Sequence, residues 1–371
     1  VVVFAVVTGG GTSGHVVPAI ALIEALVDAG HMPGDLAYAG SRRGVESAMV
    51  PGTGVQCAFL PVSGLQRSVS ARSVLANIAF PFRLAVSRMM ARRLVREWSP
   101  RVVVSVGGYA SEPVARAAVA AGVPLVCVSY DMVPGLATRR QSRKAVACAV
   151  AFEGSGLPRA VVTGAPVRRA VRTMDPAVRR SETRAARGVD DGCLLVTVVG
   201  GSLGSAALNS CVPPLSAALS EAGVHAQVVH VTGRRYAGTV EAPGAGAGVT
   251  VETMAYEDDM PSLLAATDVL VSRAGASTVA EVAAIGVAAV FVPWPAAADD
   301  HQTRNAGWLS ARGAASSVTE GPDLSRALPA EVVRLCLDAD ARQDMAARAR
   351  DAGAVHRGTG LVDLITDASL A

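Results

Sequence analysis

One lysine, Lys144, stands among the 34 basic residues of this 371-residue chain, so its positive charge is almost wholly arginine and nets only +3 at pH 7. That balance carries no footprint of a nucleic-acid-binding protein. The six cysteines (Cys57, Cys127, Cys148, Cys193, Cys211 and Cys336) show neither C-x-x-C spacing nor a histidine cluster nearby. Neither a disulfide framework nor a zinc site is implied, and a reduced cytosol is the expected compartment. The chain also lacks an uninterrupted apolar run of about 18 residues, so no spanning helix is expected and membrane contact, if made, is peripheral. With 51% hydrophobic and 18% charged residues, general disorder is excluded.

What is present in quantity is glycine, 37 residues, in patterns that repeat. Val1 to Val7 is an apolar run, Thr8-Gly9-Gly10-Gly11-Thr12-Ser13-Gly14-His15 a glycine-rich turn, and Val16 to Leu26 an amphipathic run. The three read as buried strand, tight loop and helix, with no basic leader before them. Glycine lets backbone N–H groups approach a ligand closely, and the helix N-terminus behind the loop favours negative charge. Gly9, Gly11 and Gly14 satisfy G-x-G-x-x-G, which keeps a dinucleotide site in view. His15, at the mouth of the loop, has the ordinary pKa of a general base; its plain alternative is a residue lining the helix start.

Further strands are expected at 35–40, 102–106, 125–129 and 161–168, each ending in a polar or glycine-bearing loop. The second strand ends in Ser41-Arg42-Arg43-Gly44; no acid stands there for NAD ribose, while the arginines keep NADP open. Gly107-Gly108-Tyr109-Ala110-Ser111 forms a second glycine loop at a strand's carboxyl end, and Tyr130 to Arg140 shares that rim.

After Gly164-Ala165-Pro166-Val167-Arg168 the same grammar restarts. An apolar run at 193–199 leads to Gly200-Gly201-Ser202-Leu203-Gly204 and a helix carrying Asn209, with further strands at 227–233, 269–273 and 290–295. Ser272 to Glu281 is a small-residue turn opening a helix, where free N–H groups and the helix dipole suit a diphosphate and Glu281 can accept from two ribose hydroxyls. Its plain alternative is a first-turn helix acid. His301-Gln302 and Asn305 open another polar helix; Glu257-Asp258-Asp259 reads as a solvated loop, and 242–248 as another loop. The restart predicts two Rossmann-like α/β domains facing across a cleft, at the usual scale of about 100–200 residues per domain.

Ser73 to Arg96 mixes Leu75, Ile78, Phe80, Phe82, Leu84, Met89 and Met90 with Arg83, Arg88, Arg92, Arg93 and Arg96. Such a helix suits anionic lipid, or packs its apolar side on its own domain; Pro81 is expected to interrupt it.

On these residues the chain resembles the MurG family, the UDP-N-acetylglucosamine transferases that complete the lipid-linked peptidoglycan precursor. The likeness rests on Gly9 to His15 with Pro18-Ala19, Gly107 to Ser111, Pro134-Gly135, Gly164 to Arg168, Gly200 to Ser202 with Asn209, Ser272 to Glu281, and His301-Gln302 with Asn305. It implies a B-type glycosyltransferase fold. Residues 1–166 would form an acceptor and membrane-associated domain, 167–350 a UDP-sugar domain, and 351–371 a helix returning to the first domain, its span about Ala354 to Leu370. The implied reaction is inverting transfer of N-acetylglucosamine to the 4-hydroxyl of undecaprenyl-diphospho-N-acetylmuramoyl-pentapeptide, at the cytoplasmic face of the cell membrane, with no obligatory cofactor or metal.

The same resemblance implies His15 as base. Donor contacts would come from Thr12, Ser13, Gly14, Asp131, Arg168, Ser202, Ala276, Ser277, Thr278, Val279, Ala280, Glu281 and Gln302. Acceptor or cleft contacts would come from Gly11, Gly108, Tyr109, Ser111, Asn209, Arg273 and Asn305, and anionic inner-leaflet lipid would meet Ser73 to Arg96. Where the family commonly has His-Glu-Gln-Asn this chain has Val128-Ser129-Tyr130-Asp131; its usual Gln is Leu203 and a usual Asn is Thr138. A catalytically weakened membrane-peripheral scaffold and an NADP-dependent oxidoreductase are the alternative functions.

Overall fold

In the computed structural model of the chain the described residues are 2–11, 13–43, 45–64, 77–240 and 246–370. They form two compact units, Val1–Arg169 with Gly358–Ala371, and Ala170–Arg357.

The first unit is built on seven parallel strands: β1 (Ala5–Thr8), β2 (Leu36–Ser41), β3 (Gln56–Leu60), β4 (Val102–Ser105), β5 (Leu125–Ser129), β6 (Ala147–Val150) and β7 (Ala160–Val162), in the order β3-β2-β1-β4-β5-β6-β7. Parallel strands covered by helices on both faces bury both sets of side chains, which is why β1, β4 and β5 are nearly continuous valine runs. Each fully buried Val or Leu contributes about 1.5–3 kcal/mol. Val6, Val103, Leu125, Cys127 and Cys148 share one core with Ala91, Val95 and Trp98 of the helix Phe80–Trp98.

The second unit repeats the device with six strands: β8 (Leu194–Val199), β9 (Ala226–Val231), β10 (Val249–Met254), β11 (Val269–Ser272), β12 (Ala289–Phe291) and β13 (Ser316–Ser317), in the order β10-β9-β8-β11-β12-β13. In both sheets the order reverses direction beside the first strand of the unit, between β1 and β4 and between β8 and β11. Those crevices are where open parallel sheets take ligands.

Several expectations are corrected by packing. Strands β3, β6, β10 and β13 are not among the expected ones; β3, β10 and β13 are sheet edges, while β6 lies in the apolar run 145–152. The strand expected over 161–168 stops at Val162 and the one over 290–295 at Phe291; Pro166, Pro293 and Pro295 have no N–H to give a ladder. Pro81 does not interrupt its helix but sits in its first turn, where the missing N–H costs nothing. Glu257 and Asp259 are not merely solvated: Glu257 pairs with Arg187, and Asp259 caps the helix Met260–Ala266 through the Ser262 N–H. The segment 241–245, in the loop expected over 242–248, lies outside the described residues, as do residues 73–76 of the Arg-rich stretch.

The C-terminal segment is two short helices, Ala354–Arg357 and Gly360–Ala368. The latter belongs to the first unit, burying Leu361, Ile365 and Ala368 against β4, β5 and β6.

Candidate active site

In the first unit the loop after β1 meets the loop after β4. Gly108 has φ 77°, and a Cβ there would stand 2.4 Å from the Gly10 carbonyl oxygen and 3.3 Å from the His15 ring. Glycine is therefore required for two backbones and an imidazole to share the space. Tyr109 lies over Gly11, where a Cβ would come within 2.4 Å of the Tyr109 ring.

Three side chains fix this loop: Tyr38 and Glu46, which sequence reasoning missed, and Tyr130, which it placed only on the rim. The buried Tyr38 hydroxyl donates to the Gly9 carbonyl at 2.6 Å. Glu46, fully buried, accepts through Oε1 from the N–H groups of Gly11 at 3.1 Å and Ser41 at 3.0 Å, and its Oε2 has no hydrogen-bond partner. Tyr130 donates to the Gly14 carbonyl at 2.8 Å. Each lies on an element distant in sequence, so no local pattern announces it.

His15 is half-buried, with the Tyr130 ring edge-on at 6.2 Å between centroids. Burial holds its pKa below the ordinary 6.5, and the Asp131 charge acts the other way. The imidazole is therefore neutral near pH 7, the form a general base needs. Burial, and after it the Asp131 charge, pushes the Tyr130 phenol well above its ordinary value.

The second glycine loop has its own brace. Ser111 donates to the Gly108 carbonyl at 2.9 Å and accepts from Gln141 Nε2 at 2.8 Å, while Gln141 Oε1 accepts from Ser105 at 2.6 Å. Ser111 is thus buried behind the loop. Thr138 is buried too, its Oγ1 3.0 Å from where a Gly107 Cβ would lie. Arg168 belongs to the first unit, its Nε 2.9 and 3.0 Å from the two carboxylate oxygens of Glu24. Gly14 is exposed and Asp131 half-buried. Thr12 lies outside the described residues, and of Ser13 only the backbone is described.

In the second unit the loop after β8 packs backbone to backbone on the loop after β9: Gly204 has φ 84°, and a Cβ there would lie 2.0 Å from the Thr232 carbonyl oxygen. Beneath it Asn209 is buried, donating to the Thr232 carbonyl at 3.1 Å and accepting from His230 Nε2 at 3.0 Å. Arg273 donates to Ser205 Oγ at 2.7 Å and the Val292 carbonyl at 3.0 Å, and pairs with Glu320. Asn305, fully buried, donates to the Ala274 carbonyl at 3.2 Å. Asn209, Arg273 and Asn305, the expected cleft contacts, tie the strand-end loops together.

The helix Ala276–Ile285 starts at the end of β11 with Gly275 as N-cap and so no N-cap side-chain oxygen; its first N–H groups carry the dipole's positive end. Ser277, Thr278 and Glu281 are half-buried, whereas the side chains of Ala276, Val279 and Ala280 face the core. Arg350 and Arg357 donate to the Ala284 carbonyl at the far end of this helix, at 2.7 and 2.9 Å, complementing its negative end. Ser202 and Leu203 are exposed after β8, and Tyr256, with Arg234 4.0 Å over its ring, is exposed after β10. Gln302 Oε1 accepts from the Trp294 N–H at 2.9 Å, and His301 Nδ1 donates to the Ala298 carbonyl at 2.7 Å. Among the described residues no three His, Cys, Asp or Glu side chains are grouped to hold a metal ion.

Two doubly wound units, one carrying an imidazole at its switch point and the other a helix N-terminus with a carboxylate one turn in, are the architecture of the B-type glycosyltransferase fold. Residues 5–150 match the glycosyltransferase family 28 N-terminal domain and residues 195–357 its C-terminal domain. The chain is 36% identical over 347 residues to the UDP-N-acetylglucosamine--N-acetylmuramyl-(pentapeptide) pyrophosphoryl-undecaprenol N-acetylglucosamine transferase of Burkholderia thailandensis, covering 92% of this chain and 89% of the relative. A crystal structure of Acinetobacter baumannii MurG is similar at TM-score 0.76 and 27% identity, over 99% of this chain and 100% of that one. The UDP-GlcNAc 2-epimerase of Neisseria meningitidis, at 10% identity and TM-score 0.66 over 99% of both chains, shares the fold alone. The chain belongs to the MurG family of glycosyltransferases. That membership sets aside the oxidoreductase reading that Arg42 and Arg43 kept open.

Proposed function

We infer that the chain is a UDP-N-acetylglucosamine-dependent N-acetylglucosaminyltransferase. It moves the sugar to the 4-hydroxyl of undecaprenyl-diphospho-N-acetylmuramoyl-pentapeptide, the lipid I to lipid II step of peptidoglycan synthesis. The observation that carries this reading is the relationship, over nearly the whole chain, to transferases of that name.

In the mechanism we propose, the second unit holds the donor. The diphosphate lies at the N-terminus of the helix Ala276–Ile285, the ribose hydroxyls donate to Glu281, and Ser202 and the free amide of Gln302 meet the nucleotide sugar. Neutral His15 takes the proton of the muramyl 4-hydroxyl as that oxygen attacks the anomeric carbon. The bond from the anomeric carbon to the β-phosphate oxygen breaks, and UDP leaves with the pair, its charge met by backbone amides. Inversion follows from the single displacement. No step calls for a metal, and EDTA is expected to leave turnover unchanged.

The helix Phe80–Trp98 supports a membrane-facing role at the cytoplasmic leaflet. Phe82, Met89 and Arg96 are exposed, and at intervals of seven residues they fall on one side of the helix. Exposed Arg92 and Arg93 flank that stripe, a pairing of apolar and cationic groups that fits anionic lipid. No helix among the described residues is long and apolar enough to cross a membrane.

A transfer assay with UDP-N-acetylglucosamine and the undecaprenyl-linked muramyl acceptor tests the function: lipid II formation is expected, and donor binding without transfer would favour the scaffold reading. In vesicle flotation, Phe82→Ser with Met89→Ser should weaken partitioning to anionic vesicles; equal partitioning counts against the helix.

A further inference from the structure

We infer that Tyr130 is a positioning residue for His15, holding the imidazole from two directions at once. The inference rests on the transferase reading only in assigning His15 its role in the reaction; the placement of Tyr130 stands on geometry.

Tyr130 follows β5 and is nearly fully buried. Its single hydroxyl proton goes to the Gly14 carbonyl at 2.8 Å, with the Val106 carbonyl farther off at 3.4 Å. The phenol thus ties the residue preceding His15 to the end of β5. The ring stands edge-on to the imidazole at 66°, and on another side Gly107 and Gly108 leave room for the imidazole by having no side chain, since their Cβ atoms would lie 3.5 and 3.3 Å from it. His15 is therefore set between an aromatic edge and bare backbone.

Tyr130 and Asp131, after β5, are titratable groups beside His15. Tyr130 stays protonated across the working range because burial raises its pKa, so its effect on His15 is shielding and orientation. Asp131 supplies the charge that opposes desolvation. Tyr109 and Glu46 touch the glycine loop at Gly11.

Two variants separate the two contacts. Tyr130→Phe removes only the hydroxyl on Gly14 and keeps the ring; kcat should fall by about tenfold, the worth of one buried hydrogen bond, with KM for UDP-N-acetylglucosamine unchanged. Tyr130→Ala also removes the shield, so the His15 midpoint, followed by NMR in 13C-histidine-labelled protein and assigned with His15→Gln, should rise from its depressed wild-type value toward 6.5. Full-rate transfer by Tyr130→Phe overturns the proposal, and so does an unmoved His15 midpoint in Tyr130→Ala. A merely structural tyrosine would lower Tm in both variants without moving that midpoint. Should Tyr130→Ala not fold, the Tyr130→Phe kinetics decide. Should the wild-type chain prove inactive in transfer, the functional reading fails while the His15 titration still decides the role of Tyr130.

Discussion

The two switch points share a topology and differ in what occupies their amides. After β1, a loop amide is already satisfied by an internal anion: Glu46 accepts the Gly11 N–H from behind. After β11, the helix starting at Ala276 has no side-chain cap, and arginines sit at its other end. The first loop is braced to hold a base, and the second is left open to charge. A glycine-rich turn and a small-residue turn, both suited in sequence to an anion, thus serve opposite electrostatic ends, decided by one buried carboxylate contributed from elsewhere in the chain.

Acidification should separate the units most strongly. Burial lowers His230 and His356, both in the second unit, to about 4 from the ordinary 6.5. The folded state binds fewer protons than the unfolded one in that window, so stability rises with pH. The contribution is complete above pH 6.5 and is lost as pH falls to about 4, on the order of 3 kcal/mol per histidine. Hydrogen exchange at pH 7 and pH 5 should show the second unit losing more protection than the first; equal loss breaks the contrast.

Next in size, His15→Ala should cut turnover by about 10²-fold or more while calorimetric affinity for UDP-N-acetylglucosamine is retained. Unchanged single-turnover transfer would assign the proton to another group. Glu46→Ala leaves the Gly11 and Ser41 N–H groups without their acceptor, a loss of about 2 kcal/mol or more seen in urea unfolding. Added phosphate should then raise the Tm of the variant by more than that of wild type, because the vacated position accepts an anion; an equal response would deny that Glu46 acts as the loop's internal anion. The smallest effect belongs to the open side: Glu281→Ala should weaken donor binding by about tenfold and barely change kcat at saturating donor.

The strand-loop-helix grammar was legible from residue patterns because parallel strands buried on both faces must be apolar throughout and their crossings must turn sharply. His15, the Ala276 turn and Glu281 stood out for the same local reasons. The edge strands did not, since a half-exposed segment such as Val249–Met254, broken by Thr250, Glu252 and Thr253, carries no continuous apolar signal. Asn209, Arg273 and Asn305 look like ligand contacts in sequence because they are polar residues near glycine loops. Hydrogen bonding also makes them braces, since a polar group taken from water needs a partner and each finds one on a neighbouring loop.

By itself the sequence determined two α/β units, their strand-end loops and the family to which the likeness points, all of which follow from near-neighbour periodicity and turn chemistry. Only tertiary structure decided that Tyr38, Glu46 and Tyr130 converge on a loop roughly 30 to 120 residues away in the chain, a span that periodicity and turn signals do not bridge. It also decided that His15 is held neutral and that one helix N-terminus stays open while the other loop is filled from within. Those outcomes depend on which groups burial brings within hydrogen-bonding distance, a property of packing rather than of local order along the chain.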